Sequence, residues 1–442
     1  MSGVQEGRRA RAWLLGICAL IAALLLAPVV VNAEAPSRVA STEDVSAAPA
    51  ESDWDHLDVS LLTMEPGPVY WERFGHNAIE VRDRRSGRAI AYNFGYFDFQ
   101  QQDFFWRFLK GRMLYMAVAL DSDEDVQRYL AAGRRVWVQQ LNLSAAQKRS
   151  LISHLEWHVQ PAQRDYRYDY FRNNCSTKLR DALDLALGGE LQRQTAHRSH
   201  GWSHRRYTRA YAQGLPWLYL GTDLGLGQAT DVPLSLWEEM FIPGELKRRL
   251  RELVISDGEG QRPLVAREYV LPAEADSTEV WPLAPEYSAW FAGVGLLLGS
   301  LMILLAYRLD QRGAAARWYL RLKALVAGLV GLGGVLLLFL WLGTDHEAAW
   351  RNENLFWMSP LWCVVAVASW RWAAVLGREA DGRRAQQLWQ AWLLVAALLG
   401  LGLSLKLFRS FDQGNLEWLW LAAPLTLAYG QSIRLLRKRS AG

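Results

Sequence analysis

The sequence predicts two domains of different class, an α+β domain that folds in water and an all-α domain that folds in a bilayer. Residues 34 to 286 are polar while 288 to 433 are strongly apolar, so a mean hydropathy near zero describes neither part. The apolar half divides into five runs, the first, second and fourth near the length that spans a membrane and the third and fifth short. The polar half holds alternating runs around a turn signal, and helical patterns with recognisable starts. At 442 residues the chain is long enough for both.

At the N-terminus, MSGVQEGRRARAW and LLGICALIAALLLAPVVV make a basic segment and a long apolar run. They fit a cleaved signal peptide, with Val31-Asn32-Ala33 before the cut, or an uncleaved anchor. Cys18 does not mark a lipidation site, because Ile17 stands where a small residue is required. The expected organisation is signal peptide or anchor over 1–33, flexible linker over 34–53, extracytoplasmic domain over 54–286 and five-span membrane domain over 287–442. The linker, EAPSRVASTEDVSAAPAESD, has no apolar periodicity.

The expected spans lie near 288–307, 324–343, 355–370, 388–405 and 416–430. Connections 308–323 and 371–387 and the tail 434–439 carry five, four and four Lys or Arg, against one (Arg351) and two (Lys406, Arg409) in the others. By the positive-inside rule the basic set is cytoplasmic, which places residues 34–286 and the loop at His346 outside. The net charge of +4 is mostly this topological signal and gives no reason to expect nucleic acid as a partner.

In the soluble part, two alternating runs flank Asp83-Arg84-Arg85-Ser86-Gly87 and predict a β-hairpin with His76 near the start of its first strand. The aromatic stretch QQDFFWRFLKGRMLYMAVAL reads as a packed core helix passing into a strand, in preference to an acyl-chain groove. Ser144 caps a helix over 144–159. Asn174 caps another that Gly188 ends, which leaves Cys175 in its first turn.

Of three cysteines, Cys18 and Cys363 fall in apolar segments, so Cys175 is the one thiol of the exported domain. A lone thiol in an oxidising compartment is either buried filler or a nucleophile. At a helix start it meets unpaired N–H groups and the positive end of the helix dipole, which favour thiolate. His76 is the best-placed base, since Gly75 allows close approach of another backbone and a strand edge can present imidazole to a helix terminus. The rival reading is a hydrogen-bonded structural histidine. Asn93 is the first candidate to orient His76, and Asp98 the second. If Val81 opposes Ala89, Asn93 sits behind the sheet, and a one-residue slip brings it alongside.

The segments FGHNAI, YNFGYFDF and YRYDYFRNNCSTKLRDAL, with DVPLSLWEEMFIP at 231–243 and TDHEAAWRNENLFWMSPL at 344–361, resemble the Lnb-type bacterial membrane proteins, named for lipoprotein N-acyltransferase activity. More loosely, His first and Asn-Cys later looks like the permuted papain-like fold of NlpC-type enzymes and lecithin retinol acyltransferase. The resemblance implies an α+β permuted papain-like domain with a five-helix membrane domain, in a bacterial inner membrane. It implies that Cys175 attacks a phospholipid acyl ester to form a thioester, and that the acyl group passes to an amine, the N-terminus of a lipoprotein. His76 would move the proton. Backbone N–H groups around Cys175, with Asn174, would hold the oxyanion, and Asn77 joins the supporting residues. No metal or organic cofactor is implied.

His346, Asn352 and Asn354 either help position substrate or belong to a capped, exposed loop. His154 and His158 have metal-ligand spacing but lack the HExxH order and a third ligand, so a helix face is the better reading. HRSHGWSHRR reads as a solvated basic segment. Two rival functions stand beside acyl transfer: a cysteine amidase or endopeptidase on cell-wall peptides, and a non-catalytic receptor or assembly module. The five spans favour a lipid substrate, because a wall hydrolase needs only a tether.

Overall fold

The computed structural model describes residues 54–97, 101, 103–257, 260–272, 282–309, 313–378 and 381–440. The expected signal peptide or anchor, the linker and Asp98 lie outside the described residues. The chain forms two compact units, the first reaching to Tyr219 and resuming over Val232–Ala284, the second comprising Leu220–Asp231 and the chain from Pro285 onward.

In the first unit, β1 (Leu57–Met64), β2 (His76–Asp83), β3 (Ala89–Tyr96), β4 (Leu114–Asp121), β5 (Val136–Leu141), β6 (Asp165–Arg167) and β9 (Val265–Leu271) form an antiparallel sheet in the order β6-β4-β3-β2-β1-β5-β9. A separate hairpin joins β7 (Val254–Asp257) to β8 (Gly260–Pro263). The helices are α1 (Phe104–Lys110), α2 (Ser122–Ala131), α3 (Ala145–His158), α4 (Cys175–Ala186), α5 (Glu190–Thr195), α6 (His204–Ala212), α7 (Pro216–Gly225), α8 (Leu236–Glu239) and α9 (Pro243–Glu252). α7 runs across the division between the units.

Strands β1 and β2 lie inside the sheet, and their apolar residues Leu61, Leu62, Met64, Ala78 and Ile79 are buried. One face, with Leu61, Ile79 and Phe94, packs on Leu151 and Leu155 of α3, Leu179 and Leu183 of α4, and Leu246 of α9. The other, with Leu62, Met64 and Ala78, packs on Val126 of α2. Each fully buried Leu of this kind contributes about 1.5–3 kcal/mol. Helix α4 is thus held on its long side by the sheet, leaving its first turn to reach the sheet's end.

Two sequence expectations are corrected here. The stretch read as a core helix forms α1, of which no residue is buried, and seven residues make too short a helix to present a separate core face. HRSHGWSHRR is not simply solvated: Arg205 is buried, the His204 ring contacts Phe171 and Phe241, and His200 pairs with buried Glu239 at 3.1 Å.

The second unit contains α10 (Ser288–Arg308), α11 (Ala314–Gly343), α12 (Leu361–Val375), α13 (Asp381–Leu405) and α14 (Leu416–Ser440). By length and composition α10, α11 and α13 can each cross a membrane. A fourth span arises if Glu347–Phe356 and α12, bent by 43°, count as one. The third apolar run therefore begins later than expected, because Asn352 starts a 3-10 turn over Glu353–Phe356 and Pro360 caps α12.

Candidate active site

His76 opens β2 directly after Gly75, whose φ of +81° suits glycine and where an added Cβ would fall 2.8 Å from the Met64 carbonyl oxygen. Strand register then selects its partner. Ala78 pairs with Asn93 and Val81 with Ile90, one step from the Val81–Ala89 pairing, so Asn93 lies diagonally beside His76 on the same face. His76 Nε2–H donates to Asn93 Oδ1 at 2.9 Å, and Asn93 Nδ2 donates to Asp125 Oδ2 at 3.0 Å. Arg128 completes the chain at 2.7 Å from Asp125 Oδ1, and the Tyr129 ring stacks on His76.

Cys175 arrives from the other side of the sheet. Beyond Asn93 the β3–β4 register shifts, and Gly95, at φ +89°, lies against it: an added Cβ there would sit 3.5 Å from Cys175 Cβ and from the Tyr168 ring. The thiol is the first residue of α4 and is buried. It is hydrogen-bonded to His76, and the backbone N–H groups of Asn77 and Ser176 also reach the sulfur. Because Nε2 serves Asn93, Nδ1 is the nitrogen left for sulfur. An Nε2–H donor also fixes the neutral tautomer, with Nδ1 as the acceptor.

Burial opposes ionisation of Cys175, but the charge of His76, its hydrogen bond and the two N–H donors outweigh it, so the thiol pKa falls below its ordinary value. Burial likewise opposes charge on His76, and the Cys175 charge and hydrogen bond, Asn93 and Asp125 together raise its pKa. Both shifts favour the same state, a thiolate–imidazolium pair.

The supporting asparagines divide by role. Asn174 is a structural cap: Oδ1 accepts from Thr177 N at 2.9 Å, while Nδ2 donates to Tyr170 O at 3.0 Å and Phe241 O at 2.9 Å. Its amide is fully engaged, so the side chain has no donor to give an oxyanion. The Asn77 side chain points away from His76 toward Thr63 Oγ1, at 2.8 Å, and only its backbone serves the sulfur. Asp125 and Tyr129 were not foreseen. Their signal is an acid and a tyrosine on the same helical stripe, with Val126 turned inward beside them.

The stretch DVPLSLWEEMFIP buttresses helix α4. Ser176 Oγ donates to Met240 O at 2.6 Å, and Arg180 donates to Trp237 O at 3.0 Å while lying over the Trp237 ring. His158 Nδ1 is engaged by the His154 carbonyl, and among the described residues no three His, Cys, Asp or Glu are grouped to hold a metal.

Residues 45–209 match the Lnb N-terminal periplasmic domain, and residues 291–409 match the Lnb transmembrane domain. The chain belongs to the Lnb family. It is a membrane protein with a periplasmic domain, and membership ties it to lipoprotein maturation. No curated protein and no solved structure matches this Lnb chain.

Within the membrane unit of this Lnb protein, Asn352 and Asn354 are buried and structural. Asn352 Nδ2 donates to the carbonyls of Leu224, Gly225 and Leu226, and Asn354 Nδ2 to that of Leu224, so both hold the end of α7. Neither is the exposed loop residue that one of the two sequence readings expects. His346 is half-buried, ahead of a 3-10 turn at Glu347–Ala349.

Proposed function

We propose that this Lnb protein is a thiol acyltransferase of lipoprotein maturation in the bacterial inner membrane, with Cys175 as nucleophile and His76 as its acid and base. The observation that carries the reading is the hydrogen-bonded Cys175–His76–Asn93 series at a helix start, with two backbone donors on the sulfur.

The thiolate attacks the ester carbonyl carbon of a phospholipid, forming a C–S bond and a tetrahedral oxyanion. As sulfur becomes acylated, the N–H groups of Asn77 and Ser176 turn from thiolate to oxyanion. His76 gives its Nδ1 proton to the departing lysophospholipid oxygen, and the C–O bond breaks. An amine, the N-terminus of a diacylglyceryl lipoprotein, then attacks the thioester. His76 accepts the amine proton, the amide forms, and the thiolate is restored.

The order of His76 before Cys175 suits a permuted papain-like fold. We place the membrane boundary near 286/287 and read all five C-terminal helices as spans. α14 is the least apolar of the five: it carries Glu417, Thr426 and Ser432, whose side chains are buried, together with exposed Gln431 and a basic end from Arg434.

Incubation with phospholipid should add one fatty-acyl mass to the peptide holding Cys175, and hydroxylamine should remove it. Cleavage of cell-wall peptides by a chain that never acquires this mass would replace the reading with the amidase alternative.

A further inference from the structure

We infer that an exposed aromatic tract around Cys175, running from α1 to Trp217, inserts into the outer-facing leaflet of the membrane and is the surface across which a phospholipid reaches the thiol. This deepens the acyl-transfer reading and rests on it for the substrate. The contact with lipid is itself tested separately.

α1 is the clearest element. Phe105, Trp106 and Phe108 are 67, 60 and 45 % exposed, a large apolar investment left in solvent. Arg107 and Lys110 share the helix, and Arg112 follows it. Aromatic rings beside basic side chains match the membrane–water interface, where rings sit at headgroup depth and cations meet phosphate.

Continuity with the thiol is the second observation. The end of α1 is stitched to the strand before Cys175: Gly111 O accepts from Arg167 at 3.3 Å, Met113 O accepts Tyr168 N–H at 3.0 Å, and Tyr170 OH lies 3.2 Å from Met113 Sδ. Tyr168, whose ring approaches Gly95 and Cys175, stacks on Tyr115 at 4.1 Å between centroids. Tyr70, which lies near Tyr115 and Tyr170, packs edge-on against Trp71 and Trp217, all three exposed.

The third observation is covalent. The chain that bears this tract also bears helices able to cross a bilayer, and only Pro285, Glu286 and Tyr287 separate Ala284 from α10. A water-soluble partner would need no such tether. An aromatic surface on a chain that cannot leave the membrane fits lipid as its occupant.

The test places a photo-reactive benzoylphenylalanine at Phe105, Trp106 or Trp71 of the full chain, in a Cys175→Ala background, within vesicles containing anionic phospholipid. The control site is Leu185, 57 % exposed but ten residues along α4, roughly 15 Å from position 175. Lipid adducts at the three tract sites should exceed those at Leu185 at least tenfold. Adducts at or below the Leu185 level overturn the inference. So does a crosslink to a second copy of the chain in place of lipid. Because position 175 is alanine, the result does not depend on thioester chemistry. If lipid adducts form but wild-type Cys175 never acquires an acyl mass, the tract stands and the acyltransferase reading fails.

Discussion

His76 has two ring nitrogens, and each has a partner that sets what the other can do. Asn93 accepts from Nε2, so the neutral ring presents Nδ1 to the thiol as a base, and the protonated ring presents it as an acid. The pH response follows from the two shifts. With the thiol pKa lowered and the imidazole pKa raised, the ion pair spans the interval between them, and alkylation of Cys175 should begin below the ordinary thiol value of ~8.5. In His76→Ala only burial and the N–H donors remain, and burial is the largest influence, so the acid limb should move upward. Iodoacetamide rates against pH will show it; an unmoved limb would remove His76 from the thiol's environment. Acyl transfer should fall by about 10²–10⁴-fold in the same variant. Asn93→Ala should cost less, because the ring stays but loses its fixed tautomer. His76 and Cys175 could be named from sequence by counting thiols and finding a helix start. Asn93 could be named only conditionally, since a one-residue change of register moves it across the sheet. Asp125 was hidden in the acidic run Ser122-Asp123-Glu124-Asp125, where nothing local says which carboxylate turns inward.

Helix α4 is more than a mount for the thiol, because its cap ties three chain segments together. Asn174 satisfies one backbone N–H of its own helix and two carbonyls, at Tyr170 and Phe241, that are otherwise remote from each other. Asn174→Ala should therefore lose both a cap and two cross-braces, costing roughly 2–4 kcal/mol. Asn174→Asp retains the acceptor for Thr177 but loses both donors, so it should fall between the wild type and alanine. Thermal unfolding of the detergent-solubilised chain orders the three, and equal losses for Asp and Ala would show that the cap itself contributes nothing. This element was legible because cap, first turn and glycine stop are local signals. α1 was not. A dense aromatic run reads as core when water is the assumed solvent, and the same run is exposed when the neighbouring phase is a membrane. The roles of Asn352 and Asn354 were equally out of reach, since their carbonyl partners lie more than 120 residues away.

At the scale of the whole chain, the strongest sequence signal is the division of basic residues, thirteen against three, between alternate C-terminal connections. Composition and length assign three helices as spans, or four with the bent pair, whereas charge asks for five. The disagreement centres on α14, whose average is lowered by buried Glu417, Thr426 and Ser432 and by exposed Gln431, while its tail carries Arg434, Arg437, Lys438 and Arg439. A span average counts every side chain equally, but only those facing lipid pay for transfer into it. Alkaline phosphatase, active only outside the cytoplasm, separates the two counts when fused after Gly313, Asp345, Gly382 and Gly442. Five spans give inactive, active, inactive and inactive fusions in that order. If α14 stays on the outer side, the Gly442 fusion alone becomes active. If α12 fails to cross, the Gly382 fusion becomes active and the Gly442 fusion, beyond α13 and α14, returns to the outside as well. An active Gly313 fusion would be the most damaging result, because it would place the chain before α10, with Cys175, in the cytoplasm and away from the leaflet in which lipoproteins are acylated.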